Sequence, residues 1–392
     1  QMCIRDSSDT ASGLSGNPSI NTTGIVTATS FVPTVGQLSH RNLVINGAML
    51  VAQRATSDVG STGGYKTVDR FPHYASGLDE NATQSQVDVA SGTTPYTLGF
   101  RKAFRITNGN QTSGAGAGDI LFGYYNLEAQ DVSNSGWNYT SASSFITLSF
   151  WVKSSVAQNF YGYIRTRDGT EQSRPFQTGS LTANTWTKIT KVIPGDSNIQ
   201  IDNDTLTGMG LYFAPFLGTN YTDNSKTVDT WSAYSSSVRT PDNTGTWYTT
   251  NDATFEYTGV QLEVGPVATP FEHRSFSDEL TRCQRYYIQF NQGFNTGART
   301  GAGGAKVRYN YPLTVPLRGS PTIAATGGSY SCRMYKSDGT SDSSSIPVIA
   351  SGGYGYNTYH NYLYVEQAGH SSTDDRVASI EASSGISLDA EL

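Results

Sequence analysis

Phe145-Ile146-Thr147-Leu148-Ser149-Phe150-Trp151-Val152 is the stretch that decides the fold class. Side chains along a strand alternate between two faces, so Ile146, Leu148, Phe150 and Val152 share one apolar side and Thr147 and Ser149 lie opposite. The same alternation runs through Val260, Leu262 and Val264 against Gln261 and Glu263. Outward from these two segments, strand-like runs recur at Leu43–Val51, Tyr65–Tyr74, Gly99–Thr107, Asp119–Glu128, Phe160–Arg167, Trp186–Ile193 and Gly208–Phe216, separated by turn clusters. Short strands at this spacing predict a jelly-roll-like β-sandwich over residues 41–274.

Composition points the same way. Only 15% of residues are charged and 36% hydrophobic, with 41 glycines and 24 tyrosines filling the difference. Disordered chains combine low hydrophobicity with high net charge and few aromatics. A formal net charge of -6 with 11% aromatic residues instead describes a chain that folds through strands and polar turns.

Beyond the sandwich, Ser275 and Asp278 form a capping signal, with Phe276, Leu280, Cys283 and Tyr287 at helical spacing. A linking helix is expected within 275–292, followed by a smaller distal β domain over 293–392. That domain ends on an alternation of Ile386, Leu388, Ala390 and Leu392 inward with Ser387, Asp389 and Glu391 outward. Residues 8–40 read as an extended, shaft-like N-terminal segment unable to bury enough surface alone. Residues 1–7 look foreign to the rest, like translated adapter read-through, and are set aside.

Several function classes are disfavoured. No Lys/Arg-rich run exists to neutralise phosphates, so no nucleic-acid partner is expected. No apolar run approaches the roughly 20 residues of a membrane span, so no membrane insertion is expected. No signal peptide is readable. Cys3, Cys283 and Cys332 lack the even, close spacing of a disulfide scaffold and are expected as free thiols. Six Asn-X-Thr sequons, starting at Asn21, Asn81, Asn110, Asn138, Asn203 and Asn220, carry no weight in a chain so rich in Asn and Thr.

Motifs for chemistry are sparse. His40, His73, His273, His360 and His370 show no metal spacing and are expected in loops or interfaces, and no cofactor fingerprint appears. The carboxylate groups Asp79/Glu80, Asp202/Asp204 and Asp374/Asp375 read as solvated turns. Asp202-Asn203-Asp204 also offers oxygens that suit a structural Ca²⁺. Trp137, Trp231 and Trp247 are expected to pack in the core.

The candidate glycan-contact residues are Tyr354, Tyr356, Tyr359, Tyr362 and Tyr364, crowded into eleven residues. Tyrosine pairs a flat apolar face with a polar tip, which suits sugar rings and their hydroxyls. The same residues also fit strand packing against a neighbouring chain. The long loops 109–118 and 219–246 are the other places where contact is expected.

Three stretches carry a family resemblance. Gly24-Ile25-Val26-Thr27-Ala28-Thr29-Ser30-Phe31 resembles the short shaft repeat of marine bacteriophage tail fibres. Arg41-Asn42-Leu43-Val44-Ile45-Asn46-Gly47-Ala48-Met49, with Thr67-Val68-Asp69-Arg70-Phe71, resembles the opening of their carbohydrate-binding-module-like sandwich. Thr258-Gly259-Val260-Gln261-Leu262-Glu263-Val264-Gly265, Ala268-Thr269-Pro270-Phe271-Glu272 and Glu279-Leu280-Thr281-Arg282-Cys283-Gln284-Arg285-Tyr286-Tyr287 resemble its exit. The resemblance covers about residues 24–290 and is loose beyond.

It implies a receptor-binding component of a phage tail fibre, not an enzyme, located in the virion and assembled in the host cytoplasm. It also implies a homotrimer that adsorbs to bacterial cell-surface glycans and joins other phage tail proteins at its N-terminal end. It implies no fixed binding residues. The alternatives are a virion-associated glycan depolymerase or hydrolase, and a secreted bacterial glycan-binding adhesin. A hydrolase needs two carboxylates facing across a cleft, and the long β-helix repeats of phage depolymerases are absent from the sequence.

Overall fold

The computed structural model describes residues 40–60, 63–290, 298–300, 306–325, 330–335, 341–346, 354–357, 362–367, 378–382 and 386–392. The shaft-like segment 8–40 therefore lies outside the described residues, apart from its last.

Thirteen strands build the sandwich: β1 Ser57–Val59, β2 Gly63–Gly64, β3 His73–Ser76, β4 Thr83–Asp88, β5 Lys102–Thr107, β6 Ile120–Glu128, β7 Phe145–Ser154, β8 Asn159–Thr166, β9 Gln172–Ser180, β10 Thr187–Pro194, β11 Thr207–Leu217, β12 Ser232–Ala233 and β13 Thr254–Val264. They form two antiparallel sheets, six-stranded β1-β4-β5-β13-β7-β10 and seven-stranded β12-β9-β8-β11-β6-β3-β2. The fold is thus all-β, as the alternation predicts.

The core lies between the sheets. Ile146, Leu148, Phe150 and Val152 of β7 are all buried there, facing Leu211 and Phe213 of β11 and Leu121 and Tyr125 of β6. Trp137 and Trp247 are buried in the same core and Trp231 packs against it, as expected. Thr147 and Ser149 occupy the opposite face of β7, yet both are buried. The chain after β13 folds back over that face: Thr269 donates to Glu263 from its backbone at 2.8 Å, and the Glu272 N–H reaches Gln261 Oε1 at 2.8 Å.

Some expectations are corrected. Leu43–Val51 is a turn, not a strand. Asn46 and Met49 take positive φ (60° and 59°), and Asn46 closes the turn with its side chain, bonding the Val51 N–H and C=O at 2.9 Å each. Gly47 belongs to the same turn, because a Cβ there would meet the Val260 carbonyl oxygen at 2.1 Å. The expected strand at Tyr65–Tyr74 is mostly bends and turns, with pairing confined to β3. Strands β4 and β9 were not anticipated, since Thr83-Gln84-Ser85-Gln86 is too polar to show an apolar period.

Helix α3, Phe276–Gln284, is capped by Ser275, whose side chain accepts from the Asp278 N–H at 3.2 Å. (Two shorter helices, α1 Thr94–Thr97 and α2 Ala129–Ser133, lie within the sandwich connections.) The buried face of α3 differs from the predicted one. Cys283 is buried as predicted, but Phe276 is exposed, Leu280 is half-buried, Tyr287 opens a strand, and Glu279 is buried as well. Cys283 is a free thiol.

Ten further strands follow: β14 Tyr287–Phe290, β15 Ala298–Thr300, β16 Lys306–Pro312, β17 Thr322–Ala325, β18 Tyr330–Tyr335, β19 Ser341–Ile346, β20 Tyr354–Asn357, β21 Tyr362–Gln367, β22 Ala378–Ala382 and β23 Ile386–Asp389. They make three small sheets, β14-β23-β17, β15-β16-β21-β20 and β19-β18-β22. Along the final alternation Leu388 and Ala390 are buried as expected. Ser387 and the Glu391 side chain are buried too, against expectation, because Glu391 meets Arg70 and Arg54 of the sandwich.

Candidate functional site

Two polar constellations stand out, and both are assembled from distant parts of the chain.

The first brings together residues from two of the stretches that carry the family resemblance, the sandwich's opening and its exit; the third, Gly24–Phe31, lies outside the described residues. The Asn46 N–H and Arg274 Nη1 both donate to Glu279, the latter at 2.9 Å. Arg274 also bonds Glu272 at 3.0 Å, and Glu272 accepts from the Asn42 N–H at 2.9 Å. Arg70 is fully buried, its guanidinium 3.5 Å from the Tyr286 ring centre, and pairs with Glu391. Glu128, also fully buried, accepts two bonds from Arg285 at 2.8 and 2.7 Å and one from the Tyr286 hydroxyl at 2.5 Å. Burial alone would raise the Glu128 pKa; the Arg285 and Tyr286 bonds outweigh it and hold the carboxylate below its ordinary value. Each charge here meets an opposite charge, so the cluster joins α3, β6 and the C-terminal segment and offers no group to a ligand.

The second lies on the outer face of the seven-stranded sheet. In β6, Leu121, Tyr125 and Leu127 enter the core while Ile120, Phe122 and Tyr124 point the other way. Strand β11 does the same with Leu211 and Phe213 inward and Tyr212 outward, and β8 with Ile164 inward and Tyr163 outward. Register then sets Tyr124 opposite Tyr212 and Tyr212 opposite Tyr163. The rings form a continuous row: Tyr124 and Tyr212 stack with centres 5.9 Å apart, Tyr212 and Tyr163 at 4.4 Å with planes 7° apart. Tyr74 stacks on Phe122 at 5.4 Å and extends the row towards β3. Gly210 makes this possible, because a Cβ there would lie 2.6 Å from the Tyr212 ring.

This row floors a groove of about 490 Å³. The size lies within the usual range of binding clefts. Tyr163 and Tyr212 are buried beneath it, whereas Tyr74 is 43% exposed and Tyr124 and Tyr234 are half-buried. Burial and the adjacent Tyr212 raise the Tyr124 pKa to about 12, so its hydroxyl stays protonated and able to donate. Arg165, Arg167 and Arg239 line the wall, with Asn126 and Thr207 between. Arg165 is held by Glu171, with Nε at 3.0 Å, and lies 3.6 Å from the centre of the Tyr234 ring.

The sequence-based candidates are distributed differently. Tyr354, Tyr356, Tyr362 and Tyr364 fall on β20 and β21, which pair antiparallel. Register sets Tyr354 and Tyr356 opposite Val365 and Leu363, and Tyr362 and Tyr364 opposite Asn357 and Gly355. Tyr359 lies outside the described residues, as do His360, His370, Asp374 and Asp375. The loop 219–246 does reach the groove, supplying Tyr234 and Arg239. The loop 109–118 folds onto Asp79, which accepts from the Ser113 N–H at 2.6 Å. His73, which falls within the expected strand Tyr65–Tyr74 but was grouped with the loop or interface histidines, is a fully buried strand residue.

In the Asp202-Asn203-Asp204 turn, Asn203 Oδ1 accepts from Asn134 at 2.9 Å and Asp204 Oδ1 from the Leu206 N–H at 2.9 Å. Among the described residues no three Asp, Glu, His or Cys side chains converge to hold a metal ion. Among them, too, no helix is long and apolar enough to cross a membrane.

The groove's strand residues were missed by sequence reading, although a signal exists; only Tyr234 and Arg239 fall in a loop where contact was expected. Phe122-Gly123-Tyr124-Tyr125-Asn126 and Tyr161-Gly162-Tyr163-Ile164-Arg165 put aromatic or cationic side chains on the face opposite the core-forming one.

No family model and no curated protein sequence matches the chain. Solved structures similar to it include the enzymatically active domain of bacteriophage CBA120 tailspike protein 4, at 10% identity and a TM-score of 0.29, covering 57% of this chain and 21% of that one. An arabinose-bound MgGH51 α-L-arabinofuranosidase is similar at 10% identity and a TM-score of 0.32, covering 63% of this chain and 30% of the other. The N-terminal cellulose-binding domain of Cellulomonas fimi β-1,4-glucanase C is similar at 10% identity and a TM-score of 0.27, covering 56% of this chain and 100% of that domain. The chain thus spans less than a third of the first two. At TM-scores this low the likenesses carry no argument about family, ligand or activity.

Proposed function

We propose that this chain is a glycan-binding protein and that the groove on the outer face of the seven-stranded sheet takes the saccharide. The observation that carries the reading is the row of Tyr124, Tyr212 and Tyr163, aligned by strand register and flanked by arginines. Tyr163 and Tyr212 are buried and stacked on each other, so they fix the floor, and the rings that remain accessible to a sugar are those of Tyr74, Tyr124 and Tyr234; tyrosine hydroxyls, Asn126 and guanidinium groups then bond its hydroxyls. Rings locked by neighbours lose little entropy on binding.

Binding, rather than glycan hydrolysis, is the reading we favour, because no Asp or Glu is among the described residues that line the groove. A pair of carboxylates is what glycoside hydrolysis would require there.

The resemblance of the N-terminal, entry and exit motifs supports a narrower version: a homotrimeric receptor-binding component of a phage tail fibre, adsorbing to bacterial surface glycans. Three linked copies would turn weak sugar contacts into firm adsorption. The test is a glycan array on the whole chain with Tyr124→Ala beside it, and sedimentation analysis of its oligomeric state. Loss of the array signals in the variant, with an unchanged fold, is expected. Retention of every signal would remove the groove from the proposal, and a monomer would remove the trimeric fibre.

A further inference from the structure

We infer that the groove selects an anionic saccharide, one whose sugars carry carboxylate, sulfate or phosphate groups. The inference rests on the glycan-binding reading above and adds the class of ligand.

The chain as a whole is acidic, at a net charge of -6. The groove is the reverse. Arg165, Arg167 and Arg239 line it, and the acidic residue paired with any of them is Glu171. Three guanidinium charges against that one side-chain carboxylate leave the side chains lining the groove net cationic. Glu391, next to the groove end at Leu392, is directed to Arg54 and Arg70 and forms no ion pair with the three groove arginines.

The three arginines are not equivalent. Arg165 is spoken for: it is clamped by Glu171 and lies flat on Tyr234. Arg167 is exposed and reaches the same carboxylate only at 3.6 Å. Arg239 has no carboxylate partner among the described residues. Its Nε donates to the Ser236 carbonyl at 3.0 Å and its guanidinium sits 4.9 Å from the centre of the Tyr221 ring. Those two contacts hold the side chain in place while its terminal amino groups make no hydrogen bond among the described residues. A pre-positioned guanidinium with free donors matches a planar or tetrahedral oxyanion, which it can bond through two parallel N–H groups. A neutral glycan would leave that charge partly desolvated and unpaired beneath it. Field lines in a cationic cleft on an acidic protein also draw anionic ligands in preference to neutral ones.

The experiment uses the whole chain and an array of uronate, sulfated and phosphorylated oligosaccharides, each beside its neutral counterpart (carboxyl-reduced, desulfated or dephosphorylated). Affinities are measured by calorimetry for the bound members. At least one acidic member is expected to bind about tenfold or more tightly than its neutral counterpart, the effect of losing one charged hydrogen-bond pair. Arg239→Gln should abolish most of that difference, and Arg167→Gln part of it, with the circular-dichroism spectrum unchanged. The preference should also shrink as salt is raised. Which of the three acidic arms responds identifies the oxyanion.

Equal affinity for acidic and neutral counterparts, or a preference untouched by Arg239→Gln and Arg167→Gln, overturns the inference. If neutral glycans bind equally well and Tyr124→Ala abolishes that binding, the groove reading survives and the charge selection does not. If no glycan binds at all, both fall.

Discussion

The two arginine-rich constellations of this protein differ in one respect that separates structure from function. Around Arg70, Glu128 and Glu279 every charge has an opposite charge at bonding distance and lies largely out of solvent. In the groove, Arg167 is exposed with a distant, shared partner and Arg239 has none among the described residues. A buried charge must be paired at home because leaving it alone costs several kcal/mol. A charge left free at a surface groove costs little in the unbound protein and is available to a ligand. The same residue type therefore does opposite work in the two places.

The sharpest way to break this comparison is at the buried cluster. Arg70→Ala removes the nearer of the two partners of Glu391 and uncovers Tyr286, and should lower unfolding free energy by about 3–5 kcal/mol. Chemical denaturation measures it, and a loss under about 1 kcal/mol would mean that the cluster is not holding the C-terminal segment to the sandwich.

Next in size is a pH effect from His73. Burial pushes its pKa down to about 4 from an ordinary 6.5. Its neutral form is the one the fold accommodates, so its contribution is fully present above pH 6.5 and is lost as pH falls through 4. The whole span is worth up to about 3 kcal/mol. Asp69 acts in the opposite direction: burial raises its pKa to about 6, so ionising it on raising pH from 3.8 through 6 costs stability. Comparing the wild type with His73→Gln isolates the histidine. The variant should lose less stability between pH 6.5 and 4, and parallel curves would show that His73 is not the titrating group.

Gly210→Ala puts a methyl group against the Tyr212 ring and should cost about 1–3 kcal/mol as an overpacking change. It should also weaken glycan binding, since the displaced ring belongs to the floor. Unchanged affinity would mean that the floor tolerates rearrangement.

The smallest expected effect discriminates between sites. Tyr124→Ala should lower glycan affinity about tenfold, roughly 1.4 kcal/mol, by removing one stacking face. The double change Tyr356→Ala plus Tyr362→Ala tests the tyrosine-rich strands on the same ligands. A loss in the second variant and none in the first would move the binding site from the groove to β20 and β21.

The comparison also shows what could be read in advance. The alternation in β7 and β13 placed Ile146, Leu148, Phe150, Val152, Val260 and Leu262 in the core, and all are there. The Ser275 cap marked the start of α3 correctly. The Leu43–Val51 run misled because Asn46-Gly47 is a turn signal inside an apolar stretch, and the turn residues prevailed. The buried face of α3 misled for another reason. Glu279 is buried by an ion pair with Arg274, five residues before it, and by the Asn46 N–H more than two hundred residues away, which no helical period reveals.

By itself, then, the sequence determined an all-β chain, the inner faces of its principal strands, and a composition rich in tyrosine and glycine. Those are local properties, set by strand periodicity, turn chemistry and side-chain type. Only the tertiary structure decided which aromatic residues meet. Tyr124, Tyr163 and Tyr212 lie far apart in sequence and become one surface solely because β6, β11 and β8 are neighbours in a particular register. Likewise Arg70 and Arg239 look alike along the chain, and only the fold brings a carboxylate to the first while leaving the second with none among the described residues.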